Sequence, residues 1–282
     1  MRVMITGAKG QLGQDVVKVF EGPGHHEVIA VDIDDFDIGQ RDQVLGAVTS
    51  TRPDVIVHGA AFTAVDLCET EVDTAYRVNT LSVRHFAEAA RLVDAHLAYV
   101  STDYVFDGTK ATPYFEWDTP NPQSVYGATK LGGEMELGGD ATIMRTSWVC
   151  GEYGHNMVKT ILGLLESHPT LSFVDDQRGH PSFCADLATM IYRLATEKRP
   201  GRFHVTNQGA VSWFEFAQEV ARAAGEDPTR VEPISTADMD PPRPAPRPAN
   251  SVLDNAALRL CDIPLLRDFR EPLGELVAKL TT

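Results

Sequence analysis

The chain has 282 residues, 43% hydrophobic and 23% charged, the profile of an ordinary globular protein with length for one or two domains. A formal net charge of −15 repels nucleic acid and anionic membrane surfaces, which argues against both as partners and leaves room only for a local basic pocket. No apolar run approaches the ~20 residues of a membrane span, and MRVMITG leads straight into a strand-like segment without a signal-peptide layout, so a cytoplasmic protein is expected.

Residues 2–6 (RVMIT) form a short apolar run that ends at Gly7-Ala8-Lys9-Gly10-Gln11-Leu12-Gly13, after which QDVVKVF takes helical spacing. Strand, glycine loop and helix in that order let a backbone approach a pyrophosphate at a helix N-terminus. The spacing is GxxGxxG, not GxGxxG, and a plain strand-to-helix turn is the alternative. His25-His26 sits in a Gly/Pro/Glu-rich connector and reads as loop, not as metal ligands. The next strand, EVIAVDI, ends at Asp32, where a carboxylate can accept hydrogen bonds from adenosine ribose hydroxyls. Asp34, Asp35 and Asp37 follow closely, so this corner repels a 2′-phosphate and favours NAD(H), with Lys9 and Arg41 as tempering cations. A helix (RDQVLGAVTS), Pro53 and the apolar strand DVIVHGAA come next. That strand stops at Gly59-Ala60-Ala61-Phe62-Thr63, small residues that suit either a backbone passing a cofactor or tight packing.

A helical stretch over roughly 71–94 carries an apolar stripe (Ala75, Val78, Leu81, Phe86, Ala89) and leads into the strand LAYVST, which ends at Ser101-Thr102-Asp103-Tyr104. Alternating strand and helix from residue 2 to 147 predicts an α/β fold with right-handed crossovers, a Rossmann-type doubly wound parallel sheet with its ligand beyond the carboxyl ends of the strands. Tyr126 follows Thr102 by 24 residues, in the segment Tyr126-Gly127-Ala128-Thr129-Lys130. On a helix Tyr126 and Lys130 share one face, and an ammonium one turn away favours the phenolate, so the pair can make an acid. A surface Tyr and Lys four apart is the competing reading.

Beyond Arg145-Thr146-Ser147-Trp148 the alternation breaks down. Helix-like segments at 155–167, 183–197 and 212–224 are interspersed with LSFVD and RFHVT, and Asp240 to Pro248 holds five prolines with Arg243 and Arg247, a rigid loop that either is solvated or offers Arg to an anion. Cys68, Cys150, Cys184 and Cys261 form no CxxC or Cys/His cluster and read as small buried hydrophobes.

Several blocks occur together: GAKGQLG, RPDVIVHGAAFTAVD, STDYVFDG, PNPQSVYGATKLGGE, MRTSWV, RGHPSFCADLA and RPANSVLD. With them the chain resembles the extended short-chain dehydrogenase/reductase family nearly end to end. The resemblance implies an NAD(P)-binding Rossmann domain over 1–147, a segment around 178–205 returning to it, and a smaller α/β substrate domain over most of 148–282. It implies Tyr126, Lys130 and Thr102 as the catalytic set, with Tyr126 and Lys130 also contacting the cofactor and Lys130 holding the nicotinamide ribose. Cofactor contacts would come from Gly7, Gly10, Gln11, Leu12 and Gly13 at the pyrophosphate, Asp32 at the ribose, Asp37 and Ile38 by the adenine, and Ala61, Phe62 and Thr63 along the chain. Thr102, Asp103 and Trp148 would face the substrate. Phe62 stands where related sequences often carry a more polar residue. The implied reaction is reduction of the 4-keto group of dTDP-4-dehydro-β-L-rhamnose by NADH or NADPH, Tyr126 giving the proton. Another 4-ketoreductase, an epimerase or a dehydratase of the family is an alternative, as is a non-catalytic cofactor-binding subunit resembling the beta subunit of methionine adenosyltransferase. A homodimer is a possible assembly, and a metal is possible in the family but not expected from these residues.

Overall fold

Short, near-continuous apolar runs build the central sheet. In the computed structural model, which describes residues 1–22, 24 and 26–281, the first strand β1 (Arg2–Thr6) is buried from Val3 onward. Pro23, His25 and Thr282 lie outside the described residues, so of the expected loop pair only His26 is described; it hydrogen-bonds Tyr192 at 3.0 Å. With β2 (Glu27–Val31), β3 (Val55–His58), β4 (His96–Thr102), β5 (Thr142–Thr146) and β6 (Gly201–His204), β1 makes a six-stranded parallel sheet of order β6-β5-β4-β3-β1-β2.

Both faces are covered, as parallel sheets require. Val3, Ile5 and Val57 point to one side, where α1 (Gln11–Glu21) and α6 (Cys184–Thr196) add Phe20, Leu187 and Leu194. Met4 and Ile56 point to the other, against Val44 and Val48 of α2 (Arg41–Thr51) and Phe86 of α3 (Ser82–Val93). Each such side chain, once fully buried, contributes roughly 1.5–3 kcal/mol. The strand order reverses between β1 and β3, so the glycine loop after β1 and the Gly59–Thr63 segment after β3 flank the switch point where open α/β sheets bind ligands.

The helical stretch expected over 71–94 is not one regular α-helix. It runs as Val72–Tyr76, a π-helical turn Arg77–Leu81, then α3. The wider turn carries Asn79, 1% exposed, whose amide bonds the Phe62 backbone on both sides and the Thr129 hydroxyl.

The C-terminal part has its own core. Here α5 (Met157–Ser167), α7 (Trp213–Ala223) and α8 (Arg270–Leu280) pack Ile161, Phe216 and Phe269 beside a parallel pair, Leu171–Val174 with Val231–Ile234. A capping box, Ser212 with Glu215, starts α7. The chain crosses between the two cores more than once, since β6 pairs with β5, α6 covers α1, and Leu258 and Ile263 join the core beneath β1. Cys68, Cys150 and Cys184 are buried, but Cys261 is exposed, unlike the small buried hydrophobe expected, because it follows the last turn of Ala256–Leu260 at the surface.

Candidate active site

One cleft of about 950 Å³ opens over the carboxyl ends of the strands, lined by the glycine loop, the tails of β2, β3 and β4, and Tyr126, Lys130 and Trp148. Fifteen of the sixteen residues singled out from the sequence line it; Phe62 does not. Its amide N–H donates to Asn79 Oδ1 at 2.7 Å and its carbonyl accepts from Asn79 Nδ2 at 3.1 Å, so the Phe62 backbone is engaged inside the protein.

At the glycine loop, α1 starts at Gln11 with no side-chain cap on Gly10 and no acid in the first turn, which leaves a positive helix end facing the cleft. Gly13 lets α1 sit down on β1, because a Cβ there would stand 1.9 Å from the Gly7 carbonyl oxygen. The donors and clearance therefore fit a pyrophosphate. Gln11 also bridges to the C-terminal part, donating to Val149 O at 3.0 Å and accepting from Asn156 at 2.7 Å. Asp32 accepts from the Lys9 amide at 2.8 Å, which ties the loop to the tail of β2. The cations expected to temper this corner are otherwise engaged: Lys9 Nζ lies 2.6 Å from Asp34, and Arg41 pairs with Glu88 away from the cleft. Arg77, missed in the sequence, lines the cleft and pairs with Asp37 at 2.7 Å. Against the opposing effect of burial, Arg77 and the Gly39 amide hold the Asp37 carboxyl below its usual range.

At the other end, Ser124 caps α4 (Val125–Met135), and Gly127 lets its first turn touch the Asp103–Val105 turn, where a Cβ would stand 2.1 Å from the Tyr104 carbonyl oxygen. That approach brings Tyr126 to Thr102. The Tyr104 ring packs edge-on to Tyr126 at 5.6 Å. Burial pushes the Tyr126 phenol up from its ordinary value, opposed by its hydrogen bond with the Thr102 side chain. The expectation that Lys130 lowers the tyrosine is corrected here. Lys130 Nζ donates to Val100 O at 2.7 Å and sits 4.2 Å over the Tyr99 ring, and burial pushes the ammonium itself down to about 7. Thr102 Oγ1 donates to Asp103 Oδ1 at 3.0 Å, and burial pushes the carboxyl up to about 6 against the opposing effect of the Ser251 and Thr102 side chains.

Trp148 holds a left-handed backbone (φ 45°) and stacks on Trp213 with ring centroids 3.6 Å apart, so it both lines the cleft and borders the C-terminal core. Arg247 does not line the cleft; its guanidinium makes two bonds to Asp66, at 2.6 and 2.9 Å, and pins the proline-rich segment to the Val65–Cys68 helix.

Compared with known protein families, the whole chain, residues 1–282, matches the RmlD substrate binding domain. The chain belongs to this family. Among curated relatives, a dTDP-4-dehydrorhamnose reductase of Aggregatibacter actinomycetemcomitans is 41% identical over 267 residues, covering 90% of each chain. The crystal structure of a dTDP-4-dehydrorhamnose reductase from Clostridium acetobutylicum is 41% identical, covers 100% of both chains and superposes with a TM-score of 0.96. One from Bacillus anthracis, solved in complex with NADP, is 38% identical over 99% of each chain with a TM-score of 0.94. Among the described residues no group of three or more His, Cys, Asp or Glu is placed to hold a metal, and no helix is long and apolar enough to cross a membrane.

Proposed function

We propose that this protein reduces the 4-keto group of dTDP-4-dehydro-β-L-rhamnose with NAD(P)H. The observation that carries the reading is the cleft itself, which puts an uncapped helix N-terminus at one end and Thr102, Tyr126 and Lys130 at the other. The cofactor, held by the first turn of α1, Asp32 and the Ala61 and Thr63 backbone, supplies hydride when bound.

The protein's own residues handle the proton. A phenol held above its usual range keeps its proton across neutral pH, as a donor to a ketone oxygen must. Tyr126 gives that proton to the carbonyl oxygen as the C=O bond becomes C–O–H, and is left as a phenolate to be refilled from solvent. The Thr102 hydroxyl, whose one O–H donates to Asp103 without substrate, turns to donate to the same oxygen instead, stabilising charge as it develops. Lys130, one turn below Tyr126, would hold the nicotinamide ribose. Asp103 lies at the sugar end of the cleft, and Trp148 gives the sugar nucleotide a flat apolar wall. In this reading residues 1–147, with a return around 178–205, hold the cofactor, and most of 148–282 forms the sugar side.

The test is to follow NADH and NADPH oxidation separately with enzymatically generated dTDP-4-dehydro-β-L-rhamnose. Turnover with formation of dTDP-L-rhamnose is expected, and no turnover with either cofactor sinks the assignment.

A further inference from the structure

Helix α4 is anchored at its far end by Glu134, whose carboxylate takes a two-pronged bond from Arg145 of β5, Nε to Oε1 at 2.9 Å and Nη2 to Oε2 at 2.6 Å, and a third from Ser101 Oγ at 2.6 Å. The first turn, which carries Tyr126, is fixed differently. Ser124 and Glu69 accept from the Gly127 and Val125 amides, at 3.1 and 2.9 Å, and settle the backbone. The Tyr126 ring itself leans on Tyr104, edge-on at 5.6 Å.

What holds Tyr104 comes from far along the chain. The proline-rich segment from Asp240 to Pro248 offers one of its arginines to an anion, and that anion lies within the protein. Arg247 Nη1 donates to Asp66 Oδ1 at 2.6 Å and Nη2 to Asp66 Oδ2 at 2.9 Å. Nη1 also donates to the Ala245 carbonyl at 2.7 Å, and the Ala245 amide returns to Asp66 at 3.1 Å. The same guanidinium hydrogen-bonds the Tyr104 hydroxyl. Since a guanidinium has no acceptor, the phenol oxygen accepts. A carboxylate, a carbonyl and a phenol around one side chain call for the planar fork of arginine; the ammonium of lysine is a point charge without that plane.

The segment cannot drift. Downstream, the Asn250 amide donates to Gly108 O at 3.2 Å and the Ser251 amide to Arg178 O at 2.8 Å. Gly108, at φ 78°, makes room for Pro248, because a Cβ there would stand 2.6 Å from the Pro248 Cα. The Arg247 and Asp66 side chains keep only 15% and 30% of their surface in solvent, and such a fork-to-fork pair fixes direction as well as adding energy. Arg243 is the contrast, 54% exposed and 3.6 Å from Asp66.

We infer that Arg247 is a positioning residue for the reaction: tied to Asp66, it holds Tyr104 by its hydroxyl so that the Tyr104 ring backs Tyr126 and keeps that phenol directed at Thr102. This deepens the proposed function, since it concerns the same tyrosine, but its first measurement requires no sugar substrate. The seven tyrosines are replaced biosynthetically by fluorotyrosine, and their fluorine NMR resonances are assigned with single Tyr→Phe variants.

In Arg247→Met the Tyr104 and Tyr126 resonances are expected to shift together, and kcat to fall by about 10–100-fold while Kd for NAD(P)H stays at the parent value. Arg243→Gln, which loses only an exposed contact, is expected to leave the Tyr126 resonance and turnover unchanged. Arg247→Lys separates a staple from a positioner. An arginine that only pins the segment to Asp66 predicts parent turnover with lysine, and that result overturns the inference. So does a folded Arg247→Met protein in which Tyr104 moves and Tyr126 does not.

Tyr104→Phe is the second arm, since it removes the oxygen that Arg247 holds and leaves the Asp66 pair intact. It is expected to shift Tyr126 and lower kcat as Arg247→Met does, and the double variant Tyr104→Phe/Arg247→Lys to lose no more than the single ones. Additive losses in that double variant overturn the inference. If the ketone assay is silent but the Tyr126 resonance moves in both arms, the substrate assignment fails and the role of Arg247 stands.

Discussion

At the Tyr126 end of the cleft, Lys130, Glu134 and Arg145 are each no more than 3% exposed, whereas at the Asp32 end the Lys9 and Asp34 side chains keep 65% and 72% of their surface in solvent. Buried charges interact strongly, are screened little by salt, and have only a few arrangements open to them. Exposed pairs are screened and rearrange at small cost. The end proposed for proton transfer is thus rigid, and the end proposed for the adenosine is adjustable. Changes at the first should be large and pH-dependent, and changes at the second small and confined to cofactor choice.

The sharpest challenge is Tyr126→Phe. Removal of a general acid is expected to lower turnover by about 10²–10⁴-fold with cofactor binding intact; a loss of only a few-fold, in a protein that still binds NAD(P)H by fluorescence titration, removes Tyr126 from its role. Gly127→Ala tests whether the rigidity is geometric. A Cβ 2.1 Å from the Tyr104 carbonyl oxygen must push α4 away from the Asp103 turn. A loss of about 1–3 kcal/mol in denaturant unfolding is expected, together with a fall of about 10–100-fold in kcat as Tyr126 shifts from Thr102.

Asp103→Asn separates stability from activity. The folded-state carboxyl is pushed up to about 6, above its unfolded value, so ionisation opposes folding. That penalty is absent below the unfolded value and complete above the folded one. The asparagine variant is therefore expected to be more stable by about 2 kcal/mol at neutral pH, with the gain vanishing as pH falls through the window, while activity drops. Urea unfolding at neutral and acid pH checks the sign. The smallest effect belongs to the exposed end. Asp34→Asn frees Lys9 and removes one negative charge, so NADPH should gain on NADH by about 2–5-fold in Kd, without a measurable change in Tm. A change of cofactor ratio beyond about a hundred-fold would mean that this corner is not the adjustable one.

The elements that follow from local pattern were readable in the sequence. RVMIT, DVIVH and LAYVST are apolar runs ended by small or polar residues, and they became β1, β3 and β4. Tyr126 and Lys130 were readable because four residues on a helix is a fixed distance. What escaped depends on partners distant in sequence. Asn79 reaches Phe62 across 17 residues and Thr129 across 50, and Arg247 reaches Asp66 across 181. No periodicity reports such pairings. The engagement of Phe62 escaped for that reason, since only the fold brings in the amide that occupies its backbone. Glu134 left a faint trace, as a charge two turns beyond Tyr126 on a face that otherwise enters the protein.

The stacked pair Trp148 and Trp213 gives the molecule a built-in optical probe. Of its three tryptophans, only Trp117 lies outside the cleft, 63% exposed on the surface. The other two share one wall of the ligand site, face to face. Tryptophan emission should therefore divide into a solvent component blind to ligand and a cleft component altered when the indole pair is covered, so that an iodide quenching experiment on the unlabelled protein can follow occupancy of the sugar side independently of the nicotinamide signal.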